Sequence, residues 1–261
     1  MRPERVPVVI GVLAAMGAAF FIVPLVGLVV RTPWSDALAQ LTAPETVEAL
    51  RLSLVASLSA TAIALLLGVP LAWVYARIEF PGRSLLRAMT TLPMVLPPVV
   101  GGIALLLAFG RRGLVGGWLD SMFGITIPFT TLGAVMAETF VAMPFLVLTV
   151  EAGLRSMDRR YEEAARTLGA NRWTVFSRVT IPLIAPSLLA GAALCWARAL
   201  GEFGATITFA GNFPGVTQTM PLAVYLLLET NPEASFVLSL VLLCVSVGVL
   251  VSLRHRWLGS A

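Results

Sequence analysis

The sequence contains no lysine, so all 18 residues counted as Lys or Arg are arginines. A Walker A loop needs a lysine to reach the β- and γ-phosphates of ATP, and its absence excludes that kind of ATP site. Histidine occurs once, at position 255, and the two cysteines are isolated within apolar stretches. We therefore predict no disulfide framework, no CxxC metal site and no catalytic constellation of the kind an intramembrane enzyme needs.

Charge is also scarce, since charged residues occupy 12% of the 261 positions and hydrophobic residues 58%. A helix needs about 20 mostly apolar residues to cross the hydrocarbon core of a bilayer. Suitable stretches predict six spans, at about residues 6–30, 52–76, 88–110, 125–150, 182–210 and 234–253. We expect an all-α membrane protein that forms a single transmembrane domain over residues 1–261. The loops predicted on the outer face are too short to fold into a solute-trapping domain.

The arginines are concentrated in alternate loops. Most lie at the two ends of the chain, between the second and third spans, or after the fourth span: Arg2, Arg5, Arg77, Arg83, Arg87, Arg155, Arg159, Arg160, Arg166, Arg172, Arg178, Arg254 and Arg256. The opposite loops hold Arg31, Arg111 and Arg112. Because positively charged loops stay in the cytoplasm, we predict a multi-pass protein of the cell membrane with both termini cytosolic. We interpret the excess of basic residues as a determinant of membrane orientation and predict no nucleic-acid binding.

The most polar segment, residues 158–182, reads DRRYEEAARTLGANRWTVFSRVTIP. Asp158 can cap a helix whose first turn carries two glutamates, where the helix dipole favours acids. Gly169 can end that helix in a left-handed conformation, and Asn171 can cap a second helix. The pattern predicts a helix–glycine–helix elbow built to contact another protein in the cytosol, with an ordinary amphipathic interfacial loop as the alternative.

This elbow also carries a recognisable spacing. Residues 163–165 read EAA, Gly169 follows after three residues, and Val179, Ile181 and Pro182 follow after nine more. The pattern resembles the EAA signature of the permease subunits of ABC importers, with valine and isoleucine in place of the usual isoleucine and leucine. It is specific for importer permeases as a class.

The resemblance implies the type I ABC-importer permease architecture, with a coupling loop at about residues 155–181. It implies a second copy of the chain, two cytosolic ATPase subunits, an extracytoplasmic oxyanion-binding protein and the lipid bilayer as partners. We expect no cofactor in this chain, and ATP and magnesium on the ATPase subunits. The residues assigned to ATPase coupling are Glu163, Ala164, Ala165 and Gly169.

Two further segments narrow the family. Residues 198–225 read RALGEFGATITFAGNFPGVTQTMPLAVY, and residues 92–116 read LPMVLPPVVGGIALLLAFGRRGLVG. Both are similar to molybdate ABC-transporter permeases, and the likeness extends over about residues 50–255. It implies ATP-driven import of a tetrahedral oxyanion, with molybdate as the expected substrate. Sulfate/thiosulfate permeases carry a related RAxGEF-like segment, so a sulfate/thiosulfate or tungstate permease is the alternative.

Three ionisable residues lie within predicted spans, where charge is costly and usually faces a cavity or a partner. Arg198 and Glu202 are four residues apart, so on one helix they share a face and can pair. They either line the transport path or form a neutralised pair that locks helices together, and Glu138 poses the same question. A more remote alternative is a secondary transporter that uses Glu138 or Glu202 as a proton carrier.

Overall fold

The computed structural model describes residues 7–258, and side-chain surroundings are described for residues 7–249 and 251. Within these bounds the chain is all-helical, without β-strands. The helices are α1 Val8–Arg31, α2 Ala37–Thr42, α3 Pro44–Arg77, α4 Arg83–Thr91, α5 Pro98–Phe109, α6 Gly116–Phe123, α7 Thr131–Ser156, α8 Arg160–Thr167, α9 Arg172–Val175, α10 Ile181–Leu183, α11 Ala185–Leu200, α12 Gly204–Phe209, α13 Met220–Thr230 and α14 Pro232–Leu258. The terminal residues Arg2 and Arg5 lie outside the described part, as do the side chains of Arg254, His255 and Arg256.

Four helices are each long and apolar enough to cross a bilayer by themselves: α1, α3, α7 and α14. They correspond to the first, second, fourth and sixth predicted spans. The second span is longer than predicted, because α3 begins at Pro44 and continues without interruption to Arg77. Proline is well suited to the first turn of a helix, where its missing N–H has no helical partner to lose.

The other two predicted spans are bent rather than straight. The chain bends by 119° between Arg83–Met94 and Pro98–Phe109, and by 73° between Arg172–Leu183 and Ala185–Leu200. Proline lacks an N–H and clashes with the preceding turn, so Pro97 and Pro98 end the first ladder of hydrogen bonds and start another. Counting each bent pair as one crossing gives up to six spans.

The predicted fifth span, residues 182–210, is wrong at its outer end. Helix α11 stops at Leu200, and the separate helix α12 starts only at Gly204. The following segment, predicted as an outer loop, contains the helix α13 and is tied to the bundle. The Met220 N–H donates to Ser53 Oγ at 2.6 Å, and the Thr131 hydroxyl donates to the Val216 carbonyl at 2.8 Å. These contacts hold residues 210–219 against α3 and α7.

The centre of the bundle is formed by α3, α7 and α11. Ala56, Ala60 and Ala64 recur at four-residue intervals on one face of α3 and are buried, as is Leu146 of α7. Small side chains let helix backbones approach closely, and in a bilayer this close packing replaces the hydrophobic effect as a driving force. By contrast, no residue of α1 is buried, and its apolar side chains face outward.

Helices α5 and α12 approach each other closely. A Cβ atom added at Gly102 of α5 would lie 2.6 Å from Thr208 Cβ and 2.9 Å from the Ala205 carbonyl oxygen of α12. Only glycine fits such a contact. The short helix α12 is therefore packed directly against the bent third span, and this packing fixes the position of the charged residues that precede it.

Candidate coupling surface and buried charges

The elbow, residues 155–181, begins as its capping residues predict. Asp158 Oδ1 accepts a hydrogen bond from the Arg160 N–H at 2.9 Å, at the start of α8. Asn171 Oδ1 accepts from the Thr174 N–H at 2.8 Å, at the start of α9. Each side chain satisfies a backbone donor that the first turn of a helix leaves free. The predicted Asn171 cap is confirmed, whereas the N-cap position of α8 is Arg159 and Asp158 lies one residue before it.

Gly169 ends α8 in the left-handed conformation, with φ of +87°. Its N–H donates to the Arg166 carbonyl, and the Ala170 N–H donates to the Ala165 carbonyl, both at 3.0 Å. This pair of hydrogen bonds is the Schellman motif, which closes a helix and turns the chain sharply. The helix–glycine–helix elbow is therefore confirmed as a local structure.

The surface of the elbow is exposed and partly apolar. Glu163, Ala164 and Gly169 are exposed, and Ala165 is half-buried. Large apolar side chains stand beside them, with Leu168 88% exposed and Trp173 72% exposed. An exposed apolar surface rimmed by charge is typical of a protein-contact site.

The neighbouring glutamate, Glu162, has the opposite environment, which the sequence analysis did not predict. It is buried, and its Oε1 accepts a hydrogen bond from the Thr180 hydroxyl at 2.7 Å. Arg77 Nη2 lies 3.4 Å from the same oxygen. Glu162 thus ties α8 both to the second half of the elbow and to the last residue of α3.

A second group of charges, also not predicted, fastens the end of α3 to α7. Glu151 is 1% exposed, and its carboxylate lies 2.7 Å from Arg155 Nη2 and 3.1 Å from Arg87 Nε. Arg155 also donates to the Tyr75 carbonyl at 3.1 Å, and Arg83 donates to that same oxygen. These arginines satisfy a carbonyl that the end of a helix leaves without a partner. The spacing of Glu151 and Arg155, four residues apart, was the available sequence signal.

The buried charges within the bundle are partly as predicted. Arg198 Nη2 lies 2.5 Å from Glu202 Oε2, so the predicted ion pair is confirmed. The assumption that both residues share one helix face is wrong, because α11 ends at Leu200 and leaves Glu202 in the break before α12. Glu202 Oε1 instead accepts a hydrogen bond from the Ala205 N–H at 2.7 Å. Glu202 therefore pairs with Arg198 and caps α12 at the same time.

Glu138 lies on α7 and is 1% exposed, yet its Oε2 has no hydrogen-bond partner in the described part of the chain. Glu202 is close enough for the two carboxylates to repel each other when both are ionised. The Arg198 side chain, by contrast, retains 28% exposure. The structure thus brings the three predicted residues into one region, with Arg198 as the member that reaches an accessible surface.

Comparison with known proteins identifies the family. The sequence model of one protein family, the binding-protein-dependent transport system inner membrane component, matches residues 64–260. The chain belongs to this family. It is also 46% identical to the molybdenum transport system permease protein ModB of Mycobacterium tuberculosis, over 93% of this chain and 92% of that protein. The Escherichia coli ModB protein is 44% identical over 84% of this chain and 95% of its own length.

Further similarities are more distant. The sulfate transport system permease protein CysT of Escherichia coli is 38% identical over 85% of this chain and 81% of that protein. The fold resembles a bacterial ABC transporter that imports the acidic polysaccharide alginate, with a TM-score of 0.64 and 17% identity over 94% of this chain and 93% of that chain. The MetNI methionine ABC transporter gives a TM-score of 0.57 and 18% identity over 89% of this chain and 95% of that chain. The resemblance to importer permeases stated from the sequence is confirmed.

The residues that the family model matches, from residue 64 onward, include both the elbow and the Arg198–Glu202 pair. The region before it contains α1 and the first part of α3. Among the described residues no group of three or more His, Cys, Asp or Glu side chains is arranged to hold a metal ion.

Proposed function

We propose that this chain is the membrane-spanning permease subunit of an ATP-driven importer whose substrate is molybdate. The main support is the higher identity to molybdenum permeases, 46% over 93% of the chain, than to the sulfate permease, 38% over 85%. A transport path must release its substrate, so we expect the external binding protein, and not the permease, to bind the oxyanion tightly. Sulfate/thiosulfate or tungstate transport is the second candidate.

We propose six crossings in the single domain, each bent pair counting as one: α1, α3, α4 with α5, α7, α9–α10 with α11, and α14. The arginine distribution supports an orientation with both termini and the elbow in the cytosol. The uncovered apolar surface of α1 suits lipid or a second copy of the chain. A homodimer would place twelve crossings around a central path.

The two elbows of the homodimer would dock on two cytosolic ATPase subunits that bind ATP and magnesium. In this proposal Glu163 makes the polar contact, Ala164 and Ala165 allow close packing, and Gly169 sets the bend. ATP binding favours the closed ATPase pair, which draws the two elbows together and rocks the helix bundles. We expect no nucleotide turnover by the purified chain alone. Turnover in a preparation free of the ATPase subunit would contradict this assignment.

For the buried charges we propose the structural role. Glu202 is held by both Arg198 and the Ala205 N–H, and this geometry supports a fixed joint between α11 and α12 rather than a mobile carrier. The exposure of Arg198 supports the competing idea that its guanidinium faces the path. The two roles differ in the effect that loss of Arg198 should have on stability and on uptake.

The test of the proposed function is uptake by proteoliposomes that contain the permease, its ATPase subunit and its binding protein. We expect ATP-dependent molybdate uptake that a large excess of sulfate leaves intact. Equal competition by sulfate would favour the sulfate assignment, and stronger competition by tungstate the tungstate one. Vesicles without the ATPase should show no uptake under a pH gradient. Uptake there would indicate a proton-coupled secondary transporter instead.

A further inference from the structure

A cavity of about 710 Å³ separates the end of α3 from the elbow. Arg77 and Trp73 line it from α3, and Arg159, Arg166 and Arg172 line it from the elbow. Glu163 of the proposed coupling surface also lines it. The proposed function gives this cavity no role.

The cavity is positively charged. Four arginines line it, against the two carboxylates of Glu162 and Glu163. Glu162 is already engaged, since it accepts a hydrogen bond from Thr180 and lies 3.4 Å from Arg77. The arginine side chains on the elbow have no such buried counter-ion. A concave surface lined by one sign of charge attracts ligands of the opposite sign.

Arg77 is the residue that points most directly to a ligand. Its side chain is only 8% exposed, and its buried Nε has no hydrogen-bond partner. A buried donor attached to a charged group is costly when it stays unpaired. Guanidinium groups present a planar set of donors that matches carboxylate and phosphate oxygens. An anion in the cavity would neutralise this incompletely paired guanidinium.

The other walls of the cavity are apolar and aromatic. Trp73 and Phe176 face it and pack edge to face with ring centroids 6.3 Å apart, and Ile78 and Val175 complete the wall. The orientation proposed above places this end of α3 at the inner surface of the membrane, where tryptophan is enriched and anionic headgroups concentrate. The volume exceeds what one small oxyanion would fill. This combination fits a phosphate with an apolar remainder.

We propose that this cavity binds the phosphate of an anionic phospholipid from the inner leaflet. The Arg77 guanidinium faces the phosphate, Arg166 and Arg172 approach it from the elbow, and Trp73 and Phe176 contact the glycerol and upper acyl groups. The lipid thereby joins α3 to the elbow and helps to hold the coupling surface in position. Free inorganic phosphate would be recognised by the same chemistry, and the experiment below distinguishes it from the lipid.

Binding is tested on the purified full-length chain in detergent by following its thermal unfolding during titration with short-chain phosphatidylglycerol. Short-chain phosphatidylcholine and inorganic phosphate are titrated in parallel. Two variants remove cavity donors: Arg166→Gln/Arg172→Gln, and Arg77→Lys, which keeps the charge but replaces the planar guanidinium by an ammonium group. The matched control, Arg160→Gln/Arg178→Gln, removes the same charge from exposed elbow arginines that do not line the cavity.

We expect phosphatidylglycerol to stabilise the native chain and the control equally, and phosphatidylcholine to have little effect. Each cavity variant should bind phosphatidylglycerol roughly tenfold more weakly, the loss expected for one charge-assisted hydrogen bond. Equal stabilisation of all variants, or no stabilisation by phosphatidylglycerol, would overturn the site. Cavity-dependent stabilisation by phosphate but not by phosphatidylglycerol would retain the anion site and reject lipid as its source. None of these outcomes depends on transport, so a failure here leaves the proposed function intact.

Discussion

Replacing Arg198 with alanine removes the only side chain that forms an ion pair with the buried Glu202 carboxylate among the described residues. The Arg198 Nη2–Glu202 Oε2 distance is 2.5 Å, and Glu202 is 1% exposed. The carboxylate would keep the hydrogen bond from the Ala205 N–H but lose its counter-ion. If the pair is a structural joint, the variant should therefore be less stable and not merely less active.

The expected magnitude follows from the different burial of the two partners. Breaking a buried ion pair by removing one partner costs about 3–5 kcal/mol. The Arg198 side chain is 28% exposed, so solvent screens the interaction and the lower limit, about 3 kcal/mol, applies to Arg198→Ala. Glu202→Gln should cost less, about 1–2 kcal/mol, because the partly exposed arginine regains water and the amide oxygen still accepts from Ala205.

The assay is the yield of monodisperse protein in detergent together with its midpoint of thermal unfolding. By the size scaling of soluble proteins, about 3 kcal/mol corresponds to a decrease of roughly 6–12 °C. The double variant Arg198→Ala/Glu202→Gln should recover much of the loss, since it strands no charge. Arg111→Ala is the control, because its pair with Asp120 is 3.9 Å long and exposed, and should change stability by less than about 1 kcal/mol.

Uptake measured with all partners present separates the two roles. A double variant no more stable than Arg198→Ala would refute the paired-joint reasoning. If, in addition, Arg198→Ala kept its yield and its coupled ATPase activity while uptake fell, the guanidinium would belong to the transport path. Both results together would assign Arg198 a role in the transport path instead of a structural role.

Three further predictions concern the elbow and the orientation. Gly169→Val should leave membrane insertion normal but abolish ATPase-subunit binding or stimulated ATP hydrolysis, because a β-branched residue is strained at φ of +87°. The control Gly169→Asn should retain most coupling, because asparagine tolerates this conformation. Full coupling in the valine variant would contradict the elbow assignment. Thr180→Val should lower the unfolding free energy by about 1–3 kcal/mol, since it removes the hydroxyl that donates to buried Glu162, whereas Thr180→Ser should be near neutral on thermal unfolding. In a cysteine-free background, Asp120→Cys should react with an impermeant thiol reagent on intact cells and Arg172→Cys should not, and labelling at position 172 would overturn the orientation.

The local structure of the elbow could be predicted from the sequence because its determinants are close together along the chain. Asp158 and Asn171 bind N–H groups two or three residues ahead, and Gly169 supplies a backbone conformation that other residues reach at a cost. The all-helical class and the approximate positions of the spans were predictable for a related reason. A run of apolar residues is suited to the bilayer whichever neighbours it acquires.

The tertiary structure alone decided how the charged residues are used. Glu162 and Glu163 are chemically identical neighbours, yet the rotation of α8 about its axis relative to α3 buries the first beside Arg77 and exposes the second. The pairing of Arg198 with Glu202 was predictable from spacing, but the helix break between them was not. That break depends on the packing of α12 against α5, which allows Glu202 to cap one helix and pair with the preceding one. The Glu162–Arg77 contact and the packing of α12 against α5 join elements distant in the chain, so no local pattern specifies them.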